Sequence, residues 1–392
     1  MTIHVTRERW EDREALRLGN GVLEAVVLPG GGHLAELRLA GAGERGLNCL
    51  WTPSWPTADP GDPRAASLIA RYGADPAARF LAGYTGHALC LDLFGPPSPQ
   101  EAALGVALHG EAAVHSWSFE PAPTGCIGRV HLPIAQLDFE RRLSLADSVP
   151  VLFIEERVAN RGAQPRELHW VQHLTLGPPF LAANESLLSA SLDRGVTWPL
   201  GYEGNEILRD NAPFGWPNAP VLDGVAADLR VPFAHPGTGF VAAARVSPDR
   251  DFAFIAALNF RLGLALVYCF RRCDFPWIAI WEENRARTAG PWNGNTQARG
   301  MEFGTTAMPV GREAMRAMGT LLDTPSERTV QPGEAAEARY LAALTTVPAG
   351  WRSIADVQHE PHALRLLGQQ PGSSIEIPVE GLADFFAGEN AK

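Results

Sequence analysis

Glycine and proline interrupt this chain so often that it leaves little room for long helices. The 392 residues include 39 glycines and 32 prolines. Proline removes a backbone donor and breaks a helix interior, and glycine favours turns, so the segments between these residues are short. Short extended segments between turns are typical of an all-β protein. We therefore predict a chain built mainly of strands.

Strands are predicted where β-branched, aromatic and aliphatic residues cluster between turn signals. The predicted strands are 21–28, 33–39, 105–108, 128–132, 136–145, 151–160, 166–175, 252–258, 264–270 and 277–282. Short helices are predicted in three regions, which are 62–80, 312–322 and 354–367. No internal repeat or linker divides the sequence, so we predict one domain over residues 1–392.

Residues 137–144 show the alternation expected of a half-buried strand. One face carries Leu137, Phe139, Arg141 and Leu143, and the residues between them are polar or charged. A period of two is typical of an antiparallel sheet that packs one face on a core. The predicted fold class is therefore all-β, a large antiparallel β-sandwich with a few short helices in its loops.

Residues 252–270 are apolar enough to raise the question of a membrane-spanning helix. Asn259 and Arg261 lie at the centre of this stretch, where a charge is costly in a bilayer. The polar break divides the stretch into two runs of strand length. We predict a buried hairpin and no membrane partner.

Net charge limits the partners of the protein. The formal net charge is -11 and the isoelectric point is about 5.5, so the average surface repels nucleic acids and anionic membranes. A neutral small molecule is the partner most compatible with this charge. We expect a small-molecule sugar as substrate, no nucleic acid, no membrane, and a monomer or homodimer.

Cysteine usage and the N-terminus suggest the compartment. The five cysteines are scattered without a paired framework, as expected of reduced thiols. The first residues are charged and lack the apolar run of a secretory signal. We expect a cytoplasmic protein.

Four clusters contain the residue types that carry chemistry. They span residues 83–97, 108–117, 169–180 and 281–304. Their candidate functional residues, in chain order, are His87, Asp92, His109, His169, His173, Trp281, Asn284, Trp292, Asn293 and Glu302.

The motifs in these four clusters and at the two ends of the chain, taken in chain order, resemble those of the aldose 1-epimerase, or galactose mutarotase-like, family over most of the chain. Residues 20–37 resemble the first hairpin of that family, and His109-Gly110 followed by Trp117 resembles its His-Gly-to-Trp motif. Gln172-His173 resembles its Asn-His-Tyr-Phe-Asn segment. Met301-Glu302 resembles its late glutamate-bearing strand, and Val330-Gln-Pro-Gly-Glu334 resembles its final turn.

The resemblance implies the galactose mutarotase-like supersandwich and an aldose 1-epimerase-like isomerase. It implies that His173 is the general acid, that Glu302 is the general base and that His109 holds the substrate. The chain also departs from the family. The Asn-Arg dipeptide is missing from residues 86–92, and no aspartate between His173 and Glu302 matches the sugar-binding aspartate. We interpret the chain as a divergent branch.

The chemistry of anomer exchange agrees with these roles. The C1 hydroxyl must lose a proton while the ring oxygen gains one, so that the ring opens, the C1–C2 bond rotates and the ring closes again. An ionised carboxylate can take the first proton, and an imidazole titrating near neutrality can supply the second. Two opposed groups are then needed, and no cofactor or metal is required.

Each assignment has a structural alternative. His173 could be a strand histidine that caps a backbone group, and Glu302 could form a salt bridge with a nearby arginine. Glu282 and Glu283 are alternatives to Glu302 in the same cluster. His169 and His173 share one face of a strand and could bind a metal with His109, although no carboxylate has a matching spacing.

Substrate contacts are predicted in the first and fourth clusters. His87 follows Gly86, and Asp92 lies five residues further along the same cluster. In the fourth cluster, tryptophans stand among amides. Sugars stack their C–H faces on aromatic rings while amides bind hydroxyl groups. The residues predicted there are Trp281, Asn284, Trp292 and Asn293.

The predicted function is a carbohydrate-active isomerase that interconverts anomers of an aldose or modified sugar. The alternative is a non-catalytic carbohydrate-binding or sensing protein on the same fold. A lyase or hydrolase is a third hypothesis, since similar sandwiches occur in polysaccharide-degrading enzymes.

Overall fold

The computed structural model describes residues 3–73 and 75–387. The strands, numbered in chain order, are β1 (His4–Trp10), β2 (Arg13–Gly19), β3 (Leu23–Val27), β4 (Leu34–Leu39), β5 (His87–Cys90), β6 (Ser118–Ala122), β7 (Gly125–Leu132), β8 (Leu137–Leu145), β9 (Val151–Asn160), β10 (Arg166–Leu168), β11 (Val171–Leu176), β12 (Ser186–Ala190), β13 (Leu192–Thr197), β14 (Pro213–Gly215), β15 (Asn218–Ala219), β16 (Ala227–Asp228), β17 (Thr238–Val246), β18 (Phe252–Asn259), β19 (Leu264–Arg271), β20 (Trp277–Asn284), β21 (Gln297–Gly304), β22 (Arg328–Val330), β23 (Ala335–Thr346), β24 (Ile354–Glu360), β25 (Ala363–Gly368) and β26 (Ser374–Pro378). The α-helices are α1 (Pro63–Arg71), α2 (Pro76–Leu81), α3 (Pro99–Ala103), α4 (Arg312–Met318) and α5 (Leu382–Ala387).

Two antiparallel sheets form the body of the fold. The large sheet has 13 strands in the order β1-β2-β3-β4-β5-β11-β21-β20-β17-β13-β14-β15-β16. The small sheet has eight strands in the order β12-β18-β19-β23-β9-β8-β7-β6. Two further sheets are β10-β22 and β24-β25-β26. The predicted all-β class is confirmed.

The main core lies between the large and small sheets. It contains Leu174 and Phe303 from the large sheet together with Phe139 and Tyr340 from the small one. The rings of Phe303 and Tyr340 meet edge to face with centroids 5.2 Å apart. Each large apolar side chain buried in this way contributes about 1.5–3 kcal/mol. The predicted β-sandwich is confirmed.

Two local predictions are confirmed. Strand β8 alternates strictly between buried and half-buried residues, with Phe139 and Arg141 facing inward. The apolar stretch 252–270 forms the hairpin β18–β19, and Phe252 pairs with Arg271. In the described residues, no helix is both long and apolar enough to span a bilayer.

Three local predictions are wrong. Residues 105–108 form a loop, because Gly105, with a φ of 95°, ends the turn that follows α3. Residues 166–175 form two strands in different sheets, β10 and β11. Residues 354–367 are the hairpin β24–β25 and not a helix. Pro361 lies in the turn of that hairpin, where its missing N–H costs no ladder hydrogen bond.

Helices α1 and α2 cover part of the outer face of the large sheet. Both begin with an Asp-Pro pair, in which the aspartate caps the first backbone amides and the proline suits the first helical turn. Helix α2 carries Phe80 and Leu81, which pack in a cluster with Trp281 of the sheet. A pocket lies between α2 and the sheet.

Candidate active site

The pocket opens on the outer face of the large sheet, and strand alternation selects the residues that line it. On β21, Met301 and Phe303 face the core, so Glu302 between them points outward. On β11, Leu174 faces the core and His173 points outward. Because β21 and β11 are neighbours in the sheet, both side chains reach the same pocket.

His173 and Glu302 are in direct contact. The Nε2 atom of His173 lies 3.3 Å from Oε1 of Glu302. The opposite ring nitrogen, Nδ1, lies 3.1 Å from the Tyr84 hydroxyl and 3.0 Å from Oγ1 of Thr175, and those two hydroxyls also hydrogen-bond to each other. These contacts on both sides fix the orientation of the imidazole. The structure thus places His173 and Glu302 in direct contact, not on two sides of a sugar-sized space, and the catalytic roles of both residues stay predictions.

Burial controls the protonation of this pair. His173 is 5% exposed and Glu302 is 2% exposed. Burial disfavours the charged forms, so it lowers the pKa of His173 to about 3 and raises the pKa of Glu302 well above its ordinary value. Both shifts favour the uncharged forms of the pair, which are a neutral imidazole and a protonated carboxyl group.

His109 lies beside the pair on a sharply turned loop. Its φ of 64° is in the left-handed region, and the next residue is Gly110. Nδ1 of His109 accepts a hydrogen bond from the Gly95 amide at 3.2 Å, and its ring meets that of His173 edge to face at 5.2 Å. Burial and the neighbouring His173 lower the pKa of His109 well below its ordinary value. His109 therefore faces the pocket as a neutral ring.

Aromatic and aliphatic side chains form most of the pocket wall. The pocket has a volume of about 200 Å³. Its apolar lining consists of Phe80, Leu81, Tyr84, Leu108, Trp198, Val241, Trp281, Trp292 and Pro309. The indole N–H of Trp281 donates to the Tyr202 hydroxyl at 2.8 Å, and that hydroxyl donates to Glu283 at 2.8 Å. The predicted candidates Trp281 and Trp292 therefore both line the pocket.

His87 lies on the opposite face of the sheet from the pocket. It is buried in the sandwich core, where its ring nitrogens lie 3.3 Å from the Tyr268 hydroxyl and 3.1 Å from Gln172 Oε1. In the sheet, Ala88 pairs with His173, so the residue before it points the other way. His87 does not line the pocket.

Asp92 and the two asparagines also lie outside the pocket lining. Asp92 is buried and forms ion pairs with Arg166 and Arg312. Asn284 is buried, and its Oδ1 accepts a hydrogen bond from the side-chain amide of Gln297. The side-chain amide of Asn293 donates to the Pro291 carbonyl. These contacts give the three residues structural partners within the chain.

The alternative carboxylates have other roles. Glu282 faces the core and pairs with Arg299. Glu283 accepts hydrogen bonds from the Ala286 and Arg287 amides. Among the described residues, no three His, Cys, Asp or Glu side chains form a group that could hold a metal ion. His169 is not in the pocket lining, and its Nδ1 accepts from the Phe94 amide at 3.3 Å.

Besides apolar wall residues, the sequence analysis does not predict two polar residues of the pocket, Tyr84 and Arg287. Tyr84 contacts His173, and Arg287 lines the wall beside Trp292. Tyr84 lies within the first cluster and Arg287 within the fourth, but neither is among the predicted candidates. No local pattern marks either residue, because each reaches the pocket through a loop.

The site is thus an acid–histidine pair on an aromatic-walled sheet face of a large β-sandwich. The sequence matches no family model and no curated protein. The structure is similar to that of a candidate aldose 1-epimerase from Klebsiella pneumoniae, with a TM-score of 0.60 and 14% identity over 87% of this chain and 82% of that one. It is also similar to a galactose mutarotase-like protein from Clostridium acetobutylicum, with a TM-score of 0.56 and 14% identity over 88% of this chain and 99% of that one.

A third similar structure is a galactose mutarotase related enzyme from Lactobacillus acidophilus. It has a TM-score of 0.54 and 11% identity over 86% of this chain and 99% of that one. The chain therefore has the galactose mutarotase-like fold, and the resemblance seen in the sequence is confirmed at the level of the fold. At these identities the similarity identifies the fold alone, so the chemistry must be argued from the site.

Proposed function

We propose that the protein is an isomerase that interconverts the anomers of an aldose or modified sugar. The observation that carries this proposal is the contact between His173 and Glu302 on a pocket wall. A buried pair of titratable groups with oppositely shifted pKa values is typical of acid–base catalysis. The fold is that of proteins described as mutarotases, which supports a sugar as the ligand.

The direct contact suits the geometry of anomer exchange. The C1 hydroxyl loses a proton and the ring oxygen gains one, and both oxygens are bonded to C1. The two proton transfers therefore take place side by side. An acceptor and a donor 3.3 Å apart can serve adjacent oxygens of one sugar without a second group across the ring.

The resting protonation assigns the first step. Neutral His173 takes the proton from the C1 hydroxyl, while Glu302 gives its proton to the ring oxygen and the C1–O5 bond breaks. The products are an open-chain aldehyde and an imidazolium–carboxylate pair. After rotation about C1–C2, Glu302 takes the O5 proton and His173 returns a proton to O1. These starting roles are the reverse of those that the family resemblance implies.

Net charge stays constant through this cycle. One proton enters the pair as another leaves it, so the pair is neutral overall both before and after each step. A buried site with few polar groups tolerates such an exchange, because no isolated charge is created in it. His109 contributes a ring next to His173, and Trp281 and Trp292 offer faces on which sugar C–H groups can stack.

The proposal predicts catalysed anomer exchange of at least one monosaccharide. We expect the protein to speed α/β exchange in a panel of aldoses, sugar acids and sugar phosphates, as measured by exchange NMR or polarimetry. Calorimetry on the same panel reports binding separately. If a sugar binds while no member of the panel exchanges faster than in buffer, the protein is a carbohydrate-binding protein and the isomerase proposal is wrong.

The shifted pKa values predict an unusual pH profile. Because burial lowers the pKa of His173 to about 3, kcat/KM should show no inflection near the pKa of about 6.5 of an ordinary histidine. Activity should fall towards acid pH as His173 gains a proton. It should fall towards alkaline pH as Glu302 loses its proton. Polarimetric rates across pH test this, and an inflection near pH 6.5 would contradict the proposed protonation state.

A further inference from the structure

Arg287 introduces a positive charge into an otherwise mostly apolar pocket. It follows β20 and lines the pocket together with Trp292. Its guanidinium lies over the rings of Tyr202 and Trp292, with 4.7 Å and 4.9 Å from its central carbon to the ring centroids. Contacts with two aromatic faces hold the planar group in place. Among the described residues that line the pocket, Arg287 is the sole lysine or arginine.

The guanidinium has no hydrogen-bond partner in the described part of the chain, and its Nε atom is buried. The nearest carboxylate oxygens belong to Glu203 and Glu283, at 3.5 Å and 3.8 Å from Nε. Glu203 is 68% exposed, so its pairing with Arg287 is weak. The guanidinium of Arg287 is therefore held in place near two carboxylates without a hydrogen bond to either of them.

Glu283 already has three other donors. Its carboxylate accepts from the Tyr202 hydroxyl at 2.8 Å, from the Ala286 amide at 2.6 Å and from the Arg287 amide at 3.1 Å. These bonds keep Glu283 beside Arg287 without engaging the guanidinium in a hydrogen bond. The local negative charge compensates the arginine when the pocket is empty and limits how much added negative charge the site tolerates.

We propose that Arg287 binds a carboxylate group of the substrate, which makes the substrate class a sugar acid such as a uronic acid. This inference rests on the proposed function, because it assumes that the pocket holds a sugar. A guanidinium presents paired N–H donors that match a carboxylate, and a single arginine neutralises one negative charge. A phosphate dianion would bring a second charge close to Glu283 and Glu203. A neutral sugar would offer the guanidinium no charged oxygen to match its paired donors.

Binding measurements test the substrate class on the wild-type protein. Intrinsic tryptophan fluorescence reports occupancy, because Trp281 and Trp292 line the pocket. Titrations with D-glucuronate, D-glucose and D-glucose 6-phosphate compare one ring carrying a carboxylate, no charge or a phosphate. We expect D-glucuronate, or D-galacturonate in a parallel series, to bind roughly tenfold or more tightly than the neutral sugar, as a charge-assisted bond implies.

Variants of Arg287 test the residue itself. Arg287→Gln should lower affinity for the sugar acid roughly tenfold or more beyond any change in affinity for the neutral sugar, so that the preference for the acid is lost. Arg287→Lys should keep part of the preference, because it retains the charge and loses the paired donors. The matched control is Arg285→Gln on the same loop, since Arg285 is exposed and bonds to Gln297. The control should keep the wild-type preference.

Three results would overturn the inference. They are equal affinity for the acid and the neutral sugar, tighter binding of the phosphate than of the carboxylate, and a preference that survives Arg287→Gln. None of these results decides whether the protein is an isomerase. If D-glucuronate binds through Arg287 without faster exchange, the substrate class stands and the isomerase activity fails. If neutral and acidic sugars exchange equally well, the activity stands and the substrate class fails.

Discussion

Replacing Glu302 with glutamine should lower kcat for anomer exchange by at least about 100-fold on any sugar that the wild type accepts. Glutamine has nearly the same shape and keeps a polar side-chain end at the 3.3 Å contact with His173. It cannot release or take up a proton at neutral pH, so the paired transfer stops. Sugar binding should change little, because the pocket walls are unchanged.

The expected result for His173→Gln is a similar loss of activity. Since the two residues act as a unit, the double variant should lose hardly more activity than either single variant. Glu140→Gln on the small sheet is the control, because Glu140 pairs with Arg129 far from the pocket and should keep full activity. Full turnover by Glu302→Gln would show that Glu302 is not the proton carrier.

Stability measurements separate a catalytic role for Glu302 from a structural one. Burial raises the pKa of Glu302, so the folded protein holds a proton there that the unfolded chain has already released. The stability of the wild type should therefore fall as pH rises above the ordinary glutamate pKa. Glu302→Gln has no proton to lose and should gain stability relative to the wild type with increasing pH. A variant whose relative stability does not depend on pH would contradict the assigned protonation.

The sequence indicates that His173 and Glu302 belong to one site, but it does not predict how the two side chains are arranged. Alternation along β11 and β21 places His173 and Glu302 on one face of each strand, and the family resemblance suggests that the strands meet. Their distance depends on which strands are neighbours and in what register. That information comes from pairing between distant segments, which a single sequence does not contain.

His87 shows the same limit. Its position next to glycine in a motif cluster suggests a cleft, but the β5–β11 register pairs Ala88 with His173 and turns His87 into the core. A shift of one residue in that register would reverse the result. Arg287 lies in a loop without regular periodicity, so the pattern analysis gives no indication of where its side chain points.

Helix and strand predictions fail where apolar residues have no clear period. Residues 354–367 carry Ile354, Val357 and Leu364 at spacings compatible with a helix, although they form the two strands of a hairpin. The hairpin β1–β2 was missed because β1 is largely exposed and lacks an apolar run. In both cases the packing partner, and not local sequence, selects the structure.

The second large expected effect is a loss of stability when Arg141 is replaced. It projects from β8 into the space between the two sheets and is almost completely buried. Its Nε donates to Glu156 Oε1 at 2.7 Å, and its Nη2 donates to Gln172 Oε1 at 3.2 Å. Glu156 Oε2 also accepts from Trp170 Nε1 at 2.8 Å. The network joins the small sheet to β11, the strand that carries His173.

Replacing Arg141 with methionine should lower the free energy of unfolding by about 3–5 kcal/mol. The change leaves the Glu156 carboxylate buried without its cation, and a buried unpaired charge is costly. Urea unfolding followed by circular dichroism and tryptophan fluorescence measures the loss. Arg142→Met is the matched control on the same strand, because Arg142 faces outward and should change stability by only about 0.5 kcal/mol.

A double variant tests whether the cost comes from the unpaired charge. Adding Glu156→Gln to Arg141→Met removes the stranded carboxylate and leaves an amide of the same shape. Part of the lost stability should then return, with a coupling energy of about 0.5–3 kcal/mol between the two sites. If the two losses simply add, or if Arg141→Met is no worse than Arg142→Met, the ion pair does not hold the sheets together. Gln172 precedes His173 and bonds to this network, so loss of the pair should also loosen the strand beneath the pocket.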